Sequence, residues 1–149
     1  MEWKGNRNLL MARRCRTFGH TADMGLEAHA DTLGELLEAL GEGLAGVICP
    51  RAQVAARQTR DLEVSSEDPE ALLVEYLSAI LNVIEADRFA VRTVSVVAAD
   101  QGSVKARLSG EPLDPARHEI LREVKAVTYH QTKIAREGGQ WIGRVILDV

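Results

Sequence analysis

The chain has 149 residues and a formal net charge of −4, with 46% hydrophobic and 27% charged residues. This composition is typical of a globular domain, and the negative charge argues against non-specific binding to nucleic acid, which needs a basic face. No apolar run approaches the ~20 residues that span a bilayer, and the N-terminus lacks a signal-peptide core. We therefore expect a cytoplasmic protein without membrane association.

The front of the chain predicts two short strands followed by a helix. The strands cover residues 13–20 and 24–30, and residues 1–12 before them are expected to form a flexible extension. Thr32 and Glu35 have the spacing of a capping box, which predicts that a helix begins here and ends before Pro50. The apolar stripe of this helix is Leu33, Leu36, Leu37, Leu40, Leu44 and Val47.

The remainder of the chain predicts one more helix and mainly strands. A weaker strand over residues 54–65 precedes a helix that begins at Asp68-Pro69 and runs to about residue 86. Strands are then predicted over residues 89–98, 104–108, 124–134 and 140–148, with hairpin turns at 100–103 and 136–139. We predict one α+β domain over residues 13–149, with two helices packed on a mixed, largely antiparallel sheet of about six or seven strands.

Two aspartates near opposite ends of the chain are the first candidate site. Asp23 lies in a turn-like segment, and Asp148 directly follows an apolar strand. If the first and last strands pair, Asp23, Asp148 and the carboxylate of Val149 could meet, and a hard cation would relieve their repulsion. The plainer alternatives are that Asp23 caps a turn and that Asp148 belongs to a solvated terminus.

A second candidate segment runs from Glu123 to His130 and contains Lys125 and Tyr129. These side chains could serve a site, or they could line a solvated face of the sheet. The chain has no phosphate-binding glycine loop, no GxSxG motif and no CxxC pair among its two cysteines. We therefore expect no catalytic residue and no organic cofactor.

Three segments in order resemble the archease family: His20 to Gly25, Glu123 to His130, and Trp141 to Val149. The resemblance covers about residues 13–149. It implies a small cytoplasmic protein that acts with the RtcB-type tRNA-splicing RNA ligase in tRNA processing. Members of this family promote guanylylation of the ligase and allow it to turn over repeatedly, and they bind a divalent metal through acidic residues.

By position, the resemblance makes Asp23 and Asp148 metal ligands, with a further oxygen from Val149. His20 and Lys125 match motif positions whose roles are less defined. The implied cofactor is a divalent metal, calcium in first place and magnesium as the alternative. The implied partner is the ligase, with RNA contacted only through it.

The sequence departs from the family pattern without losing a proposed ligand. Met24 replaces the commoner isoleucine, Gln131 stands where glycine is common, and Gly143 stands where alanine is frequent.

Two other classes of function stay open from the residues alone. One is a metal-dependent phosphoester hydrolase in which His20 and Asp23 serve the chemistry directly. The other is a chaperone-like binding module without a metal.

Overall fold

The structure is a computed structural model that describes residues 13–18 and 23–149. Its elements, in chain order, are β1 (Arg13–Phe18), β2 (Asp23–Ala30), α1 (Leu33–Ile48), a short 3-10 helix (Arg51–Gln53), β3 (Gln58–Ser65), α2 (Pro69–Glu85), β4 (Phe89–Ala99), β5 (Ser103–Pro112), β6 (Ala126–Glu137) and β7 (Gln140–Asp148). The predicted α+β class, with two helices and seven strands, is confirmed. The predicted N-terminal extension, residues 1–12, lies outside the described residues.

Both helices begin at the predicted capping residues. The backbone N–H of Glu35 donates to Thr32 Oγ1 at 3.1 Å, and the Thr32 hydroxyl donates back to Glu35 Oε1 at 3.0 Å. In α2, the N–H of Ala71 donates to Asp68 Oδ2 at 3.0 Å. These bonds satisfy helix-terminal N–H groups that would otherwise lack an intrahelical partner.

The strands form two sheets rather than the single sheet that was predicted. Sheet A has the order β1-β2-β7-β6, and sheet B has the order β3-β5-β4. Every strand pairing in the described part of the chain is antiparallel. Helix α1 packs against β1, β2 and β7 of sheet A and against β4 of sheet B, while α2 packs against β6 and all of sheet B. Each helix therefore contributes to burying both sheets.

Helix α1 also covers the free edge of β4. The carboxylates of Glu38 and Glu42 accept hydrogen bonds from the backbone N–H groups of Val96 and Val94, at 2.9 and 3.0 Å. An edge strand otherwise offers unpaired N–H groups to other chains. The two glutamates thus satisfy part of the edge of sheet B and attach it to α1.

Strand β6 departs from regular pairing near its middle. Its register with β7 is interrupted between Thr128 and Lys133, and Gln131 has a φ of +53°. This left-handed conformation favours glycine, the residue that the archease resemblance implies at this position. The hairpin that follows turns at Gly138 and Gly139, with φ values of +59° and +82°, as a tight two-residue turn requires.

In the part of the chain that the structure describes, neither helix combines the length and the apolar character that crossing a membrane would require.

Candidate functional site

The pairing of β2 with β7 places the two candidate aspartates opposite each other. The strands are antiparallel, and their register sets Asp23 directly across from Asp148. Directly opposed residues project from the same face of a sheet, with Cβ atoms about 4.5–5.5 Å apart. Asp23 is exposed and Asp148 is half-buried. The predicted convergence of the two aspartates is confirmed, but the last strand pairs with the second strand, β2, and not, as predicted, with the first; β1 pairs with β2 instead. A metal bound between the aspartates stays a prediction.

The aspartate pair lies on the face of sheet A that points away from the helices. Leu26 pairs with Val145, and both side chains are fully buried in the hydrophobic core, as is Leu147. Side chains alternate between the two faces along each strand. Asp23 is three residues from Leu26, and Asp148 is three residues from Val145. Because both separations are odd, the two aspartates project from the opposite, outer face.

A third strand joins this end of sheet A. Ala126, the first residue of β6, pairs with Asp148 on the side away from β2. The backbone N–H of Lys125 donates to the carbonyl oxygen of Asp148 at 2.7 Å, and Val149 packs against the hydrophobic core. We call this region, with Asp23, Lys125, Asp148 and Val149, the aspartate end. His20 lies outside the described residues, so its predicted place beside these groups is not tested.

The aspartate pair carries like charges in direct opposition. Such pairs destabilise a sheet by roughly 0.2–1 kcal/mol. Within the described residues, no arginine, lysine or histidine forms an ion pair with Asp23 or Asp148. A bound cation would supply the missing positive charge.

The donor set at the aspartate end suits a hard cation. Calcium and magnesium take carboxylate oxygens, backbone oxygens and water, whereas zinc prefers cysteine and histidine. Across residues 13–18 and 23–149, no group of three or more His, Cys, Asp or Glu side chains could hold a metal ion. A cation here would therefore need backbone oxygens or water in addition to the two carboxylates.

A second charged cluster lies on the same face, four residue pairs along the strands from the aspartates. Glu27 Oε1 accepts from Arg144 at 2.8 Å, and Oε2 accepts from Arg16 at 3.1 Å. Both guanidinium groups lie over the ring of Phe18, 4.8 and 5.4 Å from its centroid. Burial raises the pKa of Glu27, but its hydrogen bonds and charge interactions with Arg144, Arg16 and His29 outweigh burial and lower it. Unlike the two aspartates, Glu27 is already paired with positively charged side chains, those of Arg16 and Arg144.

The partners of Glu27 were not apparent from the sequence. Alternation along the strand places Glu27 on the outer face, but Arg16 and Arg144 come from β1 and β7, and only the register brings them together. No local signal identifies such a cross-strand group.

Neither cysteine adds a reactive group to the site. Burial raises the pKa of the Cys15 thiol to about 12, and burial is also the main cause of the raised pKa of Cys49. Both thiols are therefore protonated at neutral pH, and a protonated thiol is a poor nucleophile and a poor metal ligand. This agrees with the sequence, which shows no base positioned beside either cysteine.

An apolar cavity of about 230 Å³ lies at the other end of the domain. Its walls include Leu33 and Pro69 from the first turns of the two helices, together with Trp141 and Arg136. Trp141 and Asp148 are seven residues apart on β7, which corresponds to about 20 Å along an extended strand. The cavity is therefore separate from the aspartate end.

An open groove of about 520 Å³ lies at the same end of sheet A as the aspartates but on the other face, against α1. Met24, the residue after Asp23, lines it together with Leu121 and Arg122 from the loop before β6. Among the described residues, the exposed large hydrophobic side chains are Val97, Ile120, Leu121 and Tyr129. All but Val97 lie within five residues of Lys125 in the sequence. Of these, Leu121 lines the groove, and its sequence neighbour Ile120 is exposed as well. Adjacent exposed apolar side chains at a groove are candidates for contact with another protein.

A family model and curated relatives both match this chain over most of its length. A family model described as the Archease protein family matches residues 16–149. The protein archease of Pyrococcus abyssi is 35% identical over 141 residues, which cover 92% of this chain and 99% of the relative. That of Methanosarcina mazei is 34% identical over 134 residues, covering 87% of this chain and 92% of the relative.

Two solved structures share the fold. The solution structure of protein 1598 from Methanobacterium thermoautotrophicum has a TM-score of 0.74 at 31% identity and covers 93% of this chain and 99% of that one. A crystal structure from Thermotoga maritima, described as an archease and possible chaperone, has a TM-score of 0.59 at 19% identity, covering 90% and 96%. The family model and the curated relatives together show that the chain belongs to the archease protein family.

Proposed function

We propose that this protein activates an RtcB-type tRNA-splicing RNA ligase by promoting guanylylation of the ligase and its repeated turnover. The observation that carries the proposal is the direct pairing of Asp23 with Asp148, because it gathers the two acids that the archease resemblance makes metal ligands. A relative described as a possible chaperone supports a role exerted on another protein. The proposed place of action is the cytoplasm.

The proposal assigns a divalent cation to the aspartate end. Asp23 and Asp148 would hold it through their carboxylates, with a further oxygen from Val149. Calcium is the favoured ion and magnesium the alternative, because both accept oxygen donors of this kind. When bound, the ion neutralises the two acids and offers positive charge to the anionic groups of the ligase or its nucleotide. The backbone of Lys125 is hydrogen-bonded to Asp148, so the ammonium group of this lysine would add a positive charge nearby.

The groove on the α1 side of this end of sheet A is the proposed contact with the ligase. Ile120 and Leu121 are 47% and 52% exposed, and Leu121 lines the same groove as Met24. Apolar anchors of this kind, surrounded by polar residues, contribute much of the affinity in protein interfaces. With a net charge of −4, the protein is expected to reach RNA only through the ligase.

The test is a guanylylation assay of the ligase at a fixed calcium or magnesium concentration, with and without this protein. The wild type is expected to accelerate guanylylation and to permit multiple rounds of ligation. Asp23→Asn and Asp148→Asn are each expected to lower the acceleration at least ten-fold. Asp31→Asn is the matched control, because Asp31 directly follows the opposite end of β2 from Asp23. This variant is expected to retain wild-type activity.

Three results would contradict the proposal. No acceleration by the wild type would remove the activator role. Full acceleration by both aspartate variants would favour a chaperone-like module that needs no metal. Turnover of a phosphoester by the protein alone, abolished by Asp23→Ala, would instead favour the hydrolase.

A further inference from the structure

A buried acid–base cluster lies in a segment that the sequence presents as an ordinary polar loop. Among the described residues, Glu111 and His118 are the buried polar or charged side chains, at 2% and 1% exposure. Glu111 is near the end of β5, and His118 lies in the connection between β5 and β6. Burying a carboxylate is costly unless hydrogen bonds and opposite charges compensate it.

The carboxylate of Glu111 accepts hydrogen bonds from the segment before β3 and from the connection between β5 and β6. Its oxygens accept two hydrogen bonds from the guanidinium of Arg117, at 2.9 and 3.0 Å, and one from the backbone N–H of Ala55 at 2.8 Å. His118 Nε2 lies 2.9 Å from Glu111 Oε2. The hydrogen bond to Arg117 is the main cause that lowers the pKa of Glu111 to about 2. The carboxylate is therefore charged throughout the physiological range.

The hydrogen bonds also define the tautomer of the neutral His118 ring. The backbone N–H of Asp114 donates to Nδ1 of His118 at 2.8 Å, so this nitrogen is an acceptor. In the neutral ring, Nε2 then carries the proton and donates it to Glu111. We call Glu111, Arg117 and His118 the Glu111 cluster.

The connection that the Glu111 cluster anchors runs from sheet B to the aspartate end. It comprises the thirteen residues between β5 and β6, a length that is uncommon for an irregular segment without a function. After His118, the N–H of Glu119 donates to Gln53 Oε1 at 2.7 Å, and that of Leu121 donates to the Ile48 carbonyl at 2.8 Å. The segment ends where Lys125 donates to Asp148.

We infer that Glu111, Arg117 and His118 are positioning residues that hold residues 119–125 against the domain, so that Leu121 lines the groove and Lys125 stays hydrogen-bonded to Asp148. The cluster touches none of the proposed metal ligands, and it acts through the loop. The part of the inference that concerns ligase activation rests on the proposed function; the part that concerns the loop does not.

The test combines hydrogen exchange with the guanylylation assay. Glu111→Gln keeps the size of the side chain but cannot accept all of the bonds from Arg117, Ala55 and His118. We expect the amides of Leu121 and Lys125 to exchange at least ten-fold faster, with a smaller change for amides of the α2 core, and the acceleration of guanylylation to fall. Glu38→Gln, which alters a glutamate bonded to the β4 edge, is expected to leave both loop amides protected.

Gln53→Ala provides a second variant with little risk to folding, because Gln53 is exposed and only its bond to Glu119 is lost. It is expected to speed exchange at Leu121. Unchanged exchange at Leu121 and Lys125 in both variants would overturn the inference, whatever the ligase assay shows. Faster exchange with undiminished activation would show that the loop position does not matter for activity. If the wild type itself fails to activate the ligase, the exchange data still decide whether the cluster positions the loop.

Discussion

Asp148→Asn is expected to make the metal-free protein slightly more stable and to abolish its stabilisation by calcium. Removing one of two opposed negative charges relieves a repulsion of roughly 0.2–1 kcal/mol. The wild type should gain about 2.7 kcal/mol at a calcium concentration of about 100 times Kd. For a domain of this size, that gain corresponds to a rise in Tm of roughly 5–10 °C.

Differential scanning calorimetry with calcium or with a chelator measures both effects. Asp23→Asn should behave like Asp148→Asn, since the two residues are register partners. Asp31→Asn should keep the full calcium-dependent rise in Tm. A rise of wild-type size in Asp148→Asn would exclude Asp148 as a ligand.

Gly110→Ala is expected to be the most destabilising small substitution in sheet B. Gly110 lies on β5 opposite Val91, and a Cβ added there would overlap the backbone carbonyl of Ala90. Backbone atoms of a paired strand cannot move aside as a flexible side chain can. Such overpacking costs about 3 kcal/mol. Urea denaturation of the variant and the wild type measures the difference in the free energy of unfolding.

Gly34→Ala is the matched control for this prediction. Its added Cβ would meet the Val96 side chain at 3.8 Å, an ordinary van der Waals distance, and alanine favours a helix over glycine by about 0.5–1 kcal/mol. Gly34→Ala should therefore be neutral or stabilising. Equal stability of Gly110→Ala and Gly34→Ala would contradict the packing described for β4 and β5.

The local features of the fold could be predicted from the sequence because their signals are local. Thr32 with Glu35, and Asp68 with Pro69, mark the helix starts by capping chemistry alone. Gly138 and Gly139 mark the last hairpin because a tight turn needs positive φ values. The meeting of Asp23 with Asp148 followed from placing Asp23 in the turn before a strand and Asp148 at the end of the last strand, although the strand that pairs with the last one is the second and not the first.

The features that escaped prediction depend on contacts between distant segments. The division into two sheets depends on how α1 and α2 pack, which their apolar stripes do not specify. Glu111 and His118 lie in a polar stretch without periodicity, so nothing in the sequence indicates that both are buried. The irregular part of β6 around Gln131 likewise becomes visible only in the register of β6 with β7.

The most direct test of the central claim, that Asp23 and Asp148 hold a divalent cation, is a ¹H–¹⁵N NMR spectrum with substoichiometric Mn²⁺. The paramagnetic ion broadens the amide signals of nearby residues. We predict selective broadening at Asp23, Lys125, Asp148 and Val149, reversed by excess calcium and absent in Asp148→Asn. Broadening centred on another acidic segment, such as the turn at Asp100, or spread evenly over the surface, would contradict the claim.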